Sequence, residues 1–250
     1  MLKIYRTVLK MLMNNEKGVL VTVVDSTPSF EELKGKRCIF KESGFLSDND
    51  KDFNDELLFA NLQKLCLKIM DEGKFRREKL KVGDEWIDLM LEPILPMPRL
   101  IILGCGYVGQ ALAQIAYLLE LPLVVVDDRS DFANKTLFPP KTRIICDDFS
   151  RAIEVIDPKE NDFVVIVTRG HKYDRICLEK LAGKKLAYIG MIGSRRRVRE
   201  LFSELIKEGV DSEWLSKVHA PIGLDIGAET PAEIGVSIMA EIIQIWRKGA

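Results

Sequence analysis

The sequence lacks a C-x-x-C cysteine pair, an excess of charge of either sign, an internal repeat and a low-complexity tract. Its five cysteines (Cys38, Cys66, Cys105, Cys146 and Cys177) are odd in number and scattered. That excludes a zinc ribbon or a thioredoxin-type motif and argues against a secreted disulfide scaffold. Lys plus Arg total 37 and Asp plus Glu 38. The balance holds on both sides of Pro98, with 16 basic and 17 acidic residues before it and 21 of each after it. Neither part is a basic nucleic-acid or membrane-surface module, so neither is expected as a partner. No apolar run approaches the roughly 18 residues of a spanning helix. The first residues carry Lys3, Arg6 and Lys10 among their apolar ones, whereas a signal peptide segregates the two. The expected protein is soluble and cytoplasmic. Its 250 residues, 47% apolar and 30% charged, allow one or two domains with a real core.

Residues 1–95 are expected to form a small α+β domain. Ile4, Val8, Met11 and Leu12 recur at helical spacing, and Gly18 is read as the end of that helix. Val19 to Val24 and Arg37 to Phe40 are strand-like, and Asp25-Ser26-Thr27-Pro28 is turn chemistry. Ser47 to Asp52 is polar and loop-like. Leu57, Leu58, Leu62, Leu65, Ile69 and Met70 trace a second helix ending before Gly73, and Trp86 to Leu91 is a last strand. Pro93, Pro96 and Pro98 mark a linker.

Residues 96–250 alternate strand and helix. Short apolar strands are read at Leu100 to Leu103, Leu123 to Val126, Arg143 to Cys146, Phe163 to Val167 and Leu186 to Ile189. Helices are read between them, near 107–119, 150–156, 172–182 and 194–208. Continuous apolar strands mean burial on both faces, and the alternation means a Rossmann-like, doubly wound parallel sheet.

Gly104-Cys105-Gly106-Tyr107-Val108-Gly109 is G-x-G-x-x-G between a strand and a helix. Gly104 permits the turn, Gly106 lets backbone approach a phosphate, and Gly109 allows helix to pack on strand. The next strand ends in Asp127-Asp128-Arg129, where an acid would hold a ribose hydroxyl pair. Cys105 could touch a ligand or carry sulfur, although a small residue filling the turn explains it better. His171 follows the fourth strand and could exchange a proton with a ligand or face solvent. Gly193-Ser194-Arg195-Arg196 opens a helix with arginines against the helix dipole, which suits an anion there. Thr230, Pro231 and Glu233 form a capping box for a last helix through Ile234, Ile238 and Ile242. Asp225 and Glu229, just before it, could orient a ligand or bond their own loop.

The strings GCGYVGQALA, VVVDDRSDFA, TRGHKYD, YIGMIGSRRR and HAPIGLDIGAETPAEIGVSIMAEII resemble the xanthine dehydrogenase accessory (XdhC/CoxI) family over about residues 99–250. The resemblance implies a Rossmann-like domain that binds molybdenum cofactor, as molybdopterin or its dinucleotide form. It implies delivery to a molybdenum hydroxylase of the xanthine dehydrogenase type, often after sulfuration by a cysteine desulfurase, and commonly a homodimer. It implies a non-catalytic carrier. The N-terminal region departs from the family: Asp25-Ser26-Thr27-Pro28-Ser29 keeps the serine and proline but lacks the usual arginine, and the triple glycine is absent from Ser47 to Glu56; in the glycine loop Tyr107 stands where the family usually has a histidine. On the residues alone, a dehydrogenase using NAD(P) and a nucleotide-sensing regulatory domain stay open.

Overall fold

The computed structural model describes residues 2–13, 16–41, 44–47, 55–95 and 97–248. The chain divides into two units, Met1–Met97 and Pro98–Ala250.

The first unit is an antiparallel sheet with a helix on each face. Its strands are β1 (Gly18–Ser26), β2 (Arg37–Lys41), β3 (Gly44–Ser47), β4 (Arg76–Val82) and β5 (Glu85–Ile94), in the order β3-β2-β1-β5-β4. Alternate residues along a strand point to opposite faces. Val19, Val21 and Val23 therefore pack with Leu58, Leu62, Cys66 and Ile69 of α2 (Glu56–Glu72). Leu20 and Ile39 turn the other way, towards Ile4 and Met11 of α1 (Leu2–Met13). Asp55 caps α2 by accepting from Leu58 N at 2.7 Å, and Gly73 ends it with φ of 63°.

Gly18 opens β1 rather than closing α1. A Cβ there would lie 2.6 Å from the Phe40 carbonyl oxygen, so the strand needs a glycine. Pro93 is strand, not linker. It stands opposite Val19, beyond the last β4–β5 pair of Arg76 with Leu91. One side of β5 has no neighbour there to receive an N–H, so proline is tolerated. Ser47 ends β3, and the polar stretch after it, residues 48–52, lies outside the described residues.

The second unit has five parallel strands: β6 (Leu100–Leu103), β7 (Leu123–Asp127), β8 (Arg143–Cys146), β9 (Phe163–Ile166) and β10 (Tyr188–Met191). Their order is β10-β9-β6-β7-β8. The chain winds outward from β6 through β7 and β8, then returns past β6 to build β9 and β10. The reversal between β6 and β9 is the topological switch point, where open α/β sheets take ligands. Ile101, Leu103, Val164 and Ile166 face α4 (Phe149–Ile156), α5 (His171–Leu181) and α6 (Arg195–Lys207). Leu100, Ile102 and Val165 face α3 (Tyr107–Leu118) and the last helix. A short α7 (Ser212–Ser216) precedes α8 (Pro231–Lys248). β6, β7, β9 and β10 are thus buried on both faces, β8 is a partly exposed edge strand, and the sheet is parallel and doubly wound.

β10 begins two residues later than its apolar pattern suggests. Gly190 falls after the expected strand but lies inside β10, and the position needs a glycine because the Ile222 side chain fills the space a Cβ would take, 2.5 Å away.

Candidate functional site

The glycine turn joins β6 to α3. Gly104 has φ of 120°, and a Cβ on it would lie 2.3 Å from the Val167 carbonyl oxygen. A Cβ on Gly109 would lie 2.1 Å from the Gly104 carbonyl oxygen. Both glycines are therefore demanded by packing inside the chain. Gly106 is not: its φ is −68° and a Cβ would meet nothing within 4 Å. It is the N-cap of α3, and no side chain caps that helix. The first N–H groups of α3 therefore receive no side-chain cap, and an uncapped helix start of this kind suits an anion.

Cys105 is fully buried in the turn. Burial pushes its thiol up to about 12, and the neighbouring Asp127 carboxylate adds to the effect. A buried thiol of this kind is held protonated and packs as a small apolar side chain.

Asp127 braces this turn from β7. Its Oδ2 accepts from Cys105 N at 2.9 Å and from Arg129 Nη2 at 3.1 Å. Its Oδ1 accepts from Arg129 Nε at 2.8 Å and Arg129 N at 3.1 Å. Four donors use the four lone-pair sites of a carboxylate. Burial acts to raise its pKa, but the Arg129 guanidinium and the two backbone N–H groups outweigh it and hold the carboxyl below its ordinary value. Asp127, the acid expected from the sequence to hold a ribose hydroxyl pair, is thus engaged within the protein by four donors. Arg129 also lies over the Phe132 ring at 3.7 Å, so both partners are fixed.

Asp128 points elsewhere. Its two oxygens accept from Arg169 Nη1 and Nη2, each at 2.9 Å. Arg169 follows β9, and its guanidinium lies 4.4 Å from the centre of the Tyr173 ring. β7 and β9 flank β6, so this bidentate pair crosses the carboxyl end of the glycine strand.

A second concavity lies beside β9 and β10. Thr168, Arg169, Gly170, His171 and Asp174 come from the β9–α5 segment, and Met191, Ile192, Gly193, Arg197, Val198 and Leu201 from the β10–α6 segment. Together they enclose about 200 Å³. Asp174 is 7% exposed. Thr168 Oγ1 donates to its Oδ1 at 2.5 Å. Burial raises the Asp174 carboxyl to about 6, against the opposing pull of Thr168, His171 and Arg197. His171 is exposed at the rim.

The Gly193–Arg196 segment is divided. Ser194 caps α6 itself, accepting from Arg197 N at 3.4 Å. Gly193 borders both the Asp174 cavity and a shallower depression of about 410 Å³ that holds Arg195 and Asp225. Arg196 faces solvent towards Glu200. Glu229 is exposed and its backbone N–H donates to Glu233 Oε2 at 2.8 Å. The capping box is complete, with Thr230 N also donating to Glu233 Oε2 and Glu233 N to Thr230 Oγ1. Among the described residues, no cluster of His, Cys, Asp and Glu could hold a metal ion, and no helix is long and apolar enough to cross a membrane.

Sequence reasoning on the residues passed over Asp174 and Arg197. The signal for Asp174 was available. It shares the inner face of α5 with Cys177, Leu178 and Leu181, at i, i+3, i+4 and i+7, so an acid occupies a core-facing position.

Residues 100–242 match the XdhC Rossmann domain family. An uncharacterized protein of Escherichia coli K12, YqeB, is 40% identical over 149 residues, covering 59% of this chain and 27% of that protein. A Bacillus subtilis 168 protein described as a probable xanthine dehydrogenase subunit is 31% identical over 167 residues, covering 67% of this chain and 48% of that one. The chain thus spans about a quarter and about half of the length of these curated relatives. A crystal structure of a protein described as a xanthine dehydrogenase, from Bacillus halodurans, superposes with a TM-score of 0.56. It is 21% identical, covers 98% of this chain and is covered to 96%, a likeness of fold. With the parallel sheet, the glycine turn and a match over more than half its length, the chain belongs to the XdhC Rossmann domain family.

Proposed function

We propose that this protein binds molybdenum cofactor, as molybdopterin or its dinucleotide form, and serves as an accessory factor to a molybdenum hydroxylase of the xanthine dehydrogenase type. The observation that carries this reading is the cradle at Gly106. The turn is glycine where nothing inside the protein requires it, and α3 begins with no side-chain cap. Those N–H groups suit the phosphate of the cofactor, so the residues present fit the group. Gly106, Tyr107 and Val108 would hold that phosphate through their backbone. When bound, the cofactor supplies the molybdenum centre that the receiving hydroxylase uses. The Bacillus subtilis relative, named for xanthine dehydrogenase, supports the choice of partner. A cysteine desulfurase and a second copy of the chain are the further partners of this reading.

The dehydrogenase alternative using NAD(P) needs an acid free to take a ribose diol, and Asp127 is engaged by four donors. Protein isolated from a host that makes the cofactor is expected to carry molybdenum and oxidisable fluorescent pterin in near-equal amounts. Gly106→Ala should lose both while folding normally. Absence of both from the unaltered protein overturns the proposal.

A further inference from the structure

The geometry points to the cavity between the β9–α5 and β10–α6 segments as a subsite for a planar 2-amino-4-oxopyrimidine ring, the ring type of pterins and guanine, with Asp174 pairing to its adjacent N–H donors. This deepens the cofactor-binding reading and rests on it, since it states which part of the ligand lies at β9 and β10 rather than at the glycine turn.

Asp174 is 7% exposed and lines the cavity. Its Oδ1 accepts from Thr168, while its Oδ2 has no hydrogen-bond partner among the described residues. Among the described residues only Ser26 Oγ and Glu72 Oε2 are buried side-chain atoms without a partner, so Asp174 Oδ2 is reached from the cavity and is free to accept from a ligand that brings N–H groups. The charged groups facing it are His171 on its own helix, Arg169 on the loop before it and Arg197 from α6. None forms an ion pair with Asp174 among the described residues: Arg169 is held by Asp128, and no pair joins Asp174 to His171 or Arg197. With its carboxyl at about 6, Asp174 is mostly ionised at neutral pH. The Asp174 carboxylate itself attracts an N–H edge, while Arg169 and Arg197 on the same lining leave room for an acceptor elsewhere on the ligand.

The walls have the matching character. Met191, Ile192, Val198 and Leu201 supply apolar surface on one side. The volume of about 200 Å³ exceeds the roughly 150 Å³ that already admits a six-membered ring. A carboxylate accepts two parallel N–H bonds, which a 2-amino group and the adjacent ring N–H provide together. A 2-oxo group in place of the amine would set an acceptor against the carboxylate.

The test uses the full chain and two probes, pterin and lumazine, which differ only in a 2-amino against a 2-oxo group. Binding is read by fluorescence titration at pH 7.5. The unaltered protein should prefer pterin by about 10- to 100-fold, the range of one or two charge-assisted hydrogen bonds. Asp174→Asn should abolish the preference, and a thermal melt of the variant shows that it is folded. Guanine and hypoxanthine form an independent second pair and should follow the same order. Equal affinity for both members of a pair, no binding of either, or a preference kept in Asp174→Asn overturns the subsite. Protein that carries molybdenum in its host but does not discriminate the probes refutes the subsite alone. Protein that discriminates but carries no molybdenum keeps the subsite and refutes the cofactor reading.

Discussion

The three glycines of the β6–α3 turn should separate cleanly when each is changed to alanine. At Gly109 the new methyl would sit 2.1 Å from a backbone oxygen, where ordinary contact begins at 3.4 Å, so backbone must move by 3.4 − 2.1 = 1.3 Å. Overpacking of that kind costs about 1–3 kcal/mol. In a chain of this size each kcal/mol moves Tm by about 2–4 °C, so Gly109→Ala should melt about 2–12 °C lower. Gly104→Ala adds a positive φ to a contact of 2.3 Å and should be at least as damaging. Gly106 has open space and an ordinary φ, so alanine should leave Tm unchanged or raise it slightly. The same variant should weaken pyrophosphate binding, because its methyl occupies the approach to the α3 N–H groups. Thermal melts and pyrophosphate titrations of the three proteins check this. A Gly106→Ala protein that melts like Gly109→Ala, or that keeps full affinity, would refute the reasoning.

Asp174 should also shape stability against pH. Its folded carboxyl lies near 6, above the ordinary 3.8, so the folded state binds the proton more tightly. Stability should fall as pH rises from about 4 to about 6, by about 3 kcal/mol at 1.36 kcal/mol per unit. Asp174→Asn should flatten that slope and be the more stable form above pH 6; identical slopes in urea unfolding would contradict it. Glu241 Oε2 accepts from Tyr188 Oη at 2.5 Å and Gly223 N at 3.0 Å. Glu241→Ala strands a hydroxyl on a residue 2% exposed and should cost about 2–4 kcal/mol, with faster amide exchange at Gly223; unchanged exchange would count against the network. Alkylation of the native protein should mark exposed Cys146 and spare Cys105, whose thiol is raised to about 12. Equal labelling by mass spectrometry would show that Cys105 is not the packed thiol described.

The parallel sheet was legible because its four inner and flanking strands β6, β7, β9 and β10 are short apolar runs, the signature of burial on both faces, and the edge strand β8 keeps Ile144 and Ile145 at its centre. β4 was not. Its residues Arg76, Arg77, Glu78, Lys79 and Lys81 carry charge, and it is held at the sheet edge by its hairpin pairing with β5 and by Leu80 and Val82, which pack on the core. Such charges suit an edge that must not pair with other chains. The glycine turn was legible from its spacing, whereas the use of Asp127 was not. Its partners lie one across the loop and one two residues on, and only side-chain placement reveals that they fill every acceptor site. The arginine run shows a similar limit. A helix turns about 100° per residue, so Arg196 faces Glu200 while Arg197 borders the cavity with Val198 and Leu201.

The Asp128–Arg169 pair gives the glycine strand a clasp made of solvent-facing charge. Such a pair is worth no more than about 1 kcal/mol, so thermal motion opens it readily. A phosphate entering beneath it offers the guanidinium another fork of oxygens. If the cofactor binds as proposed, the cation would exchange one anionic mate for another and not be stripped bare. Entry and exit by this route should quicken as added salt loosens the clasp, the reverse of simple attraction between an anion and a fixed arginine.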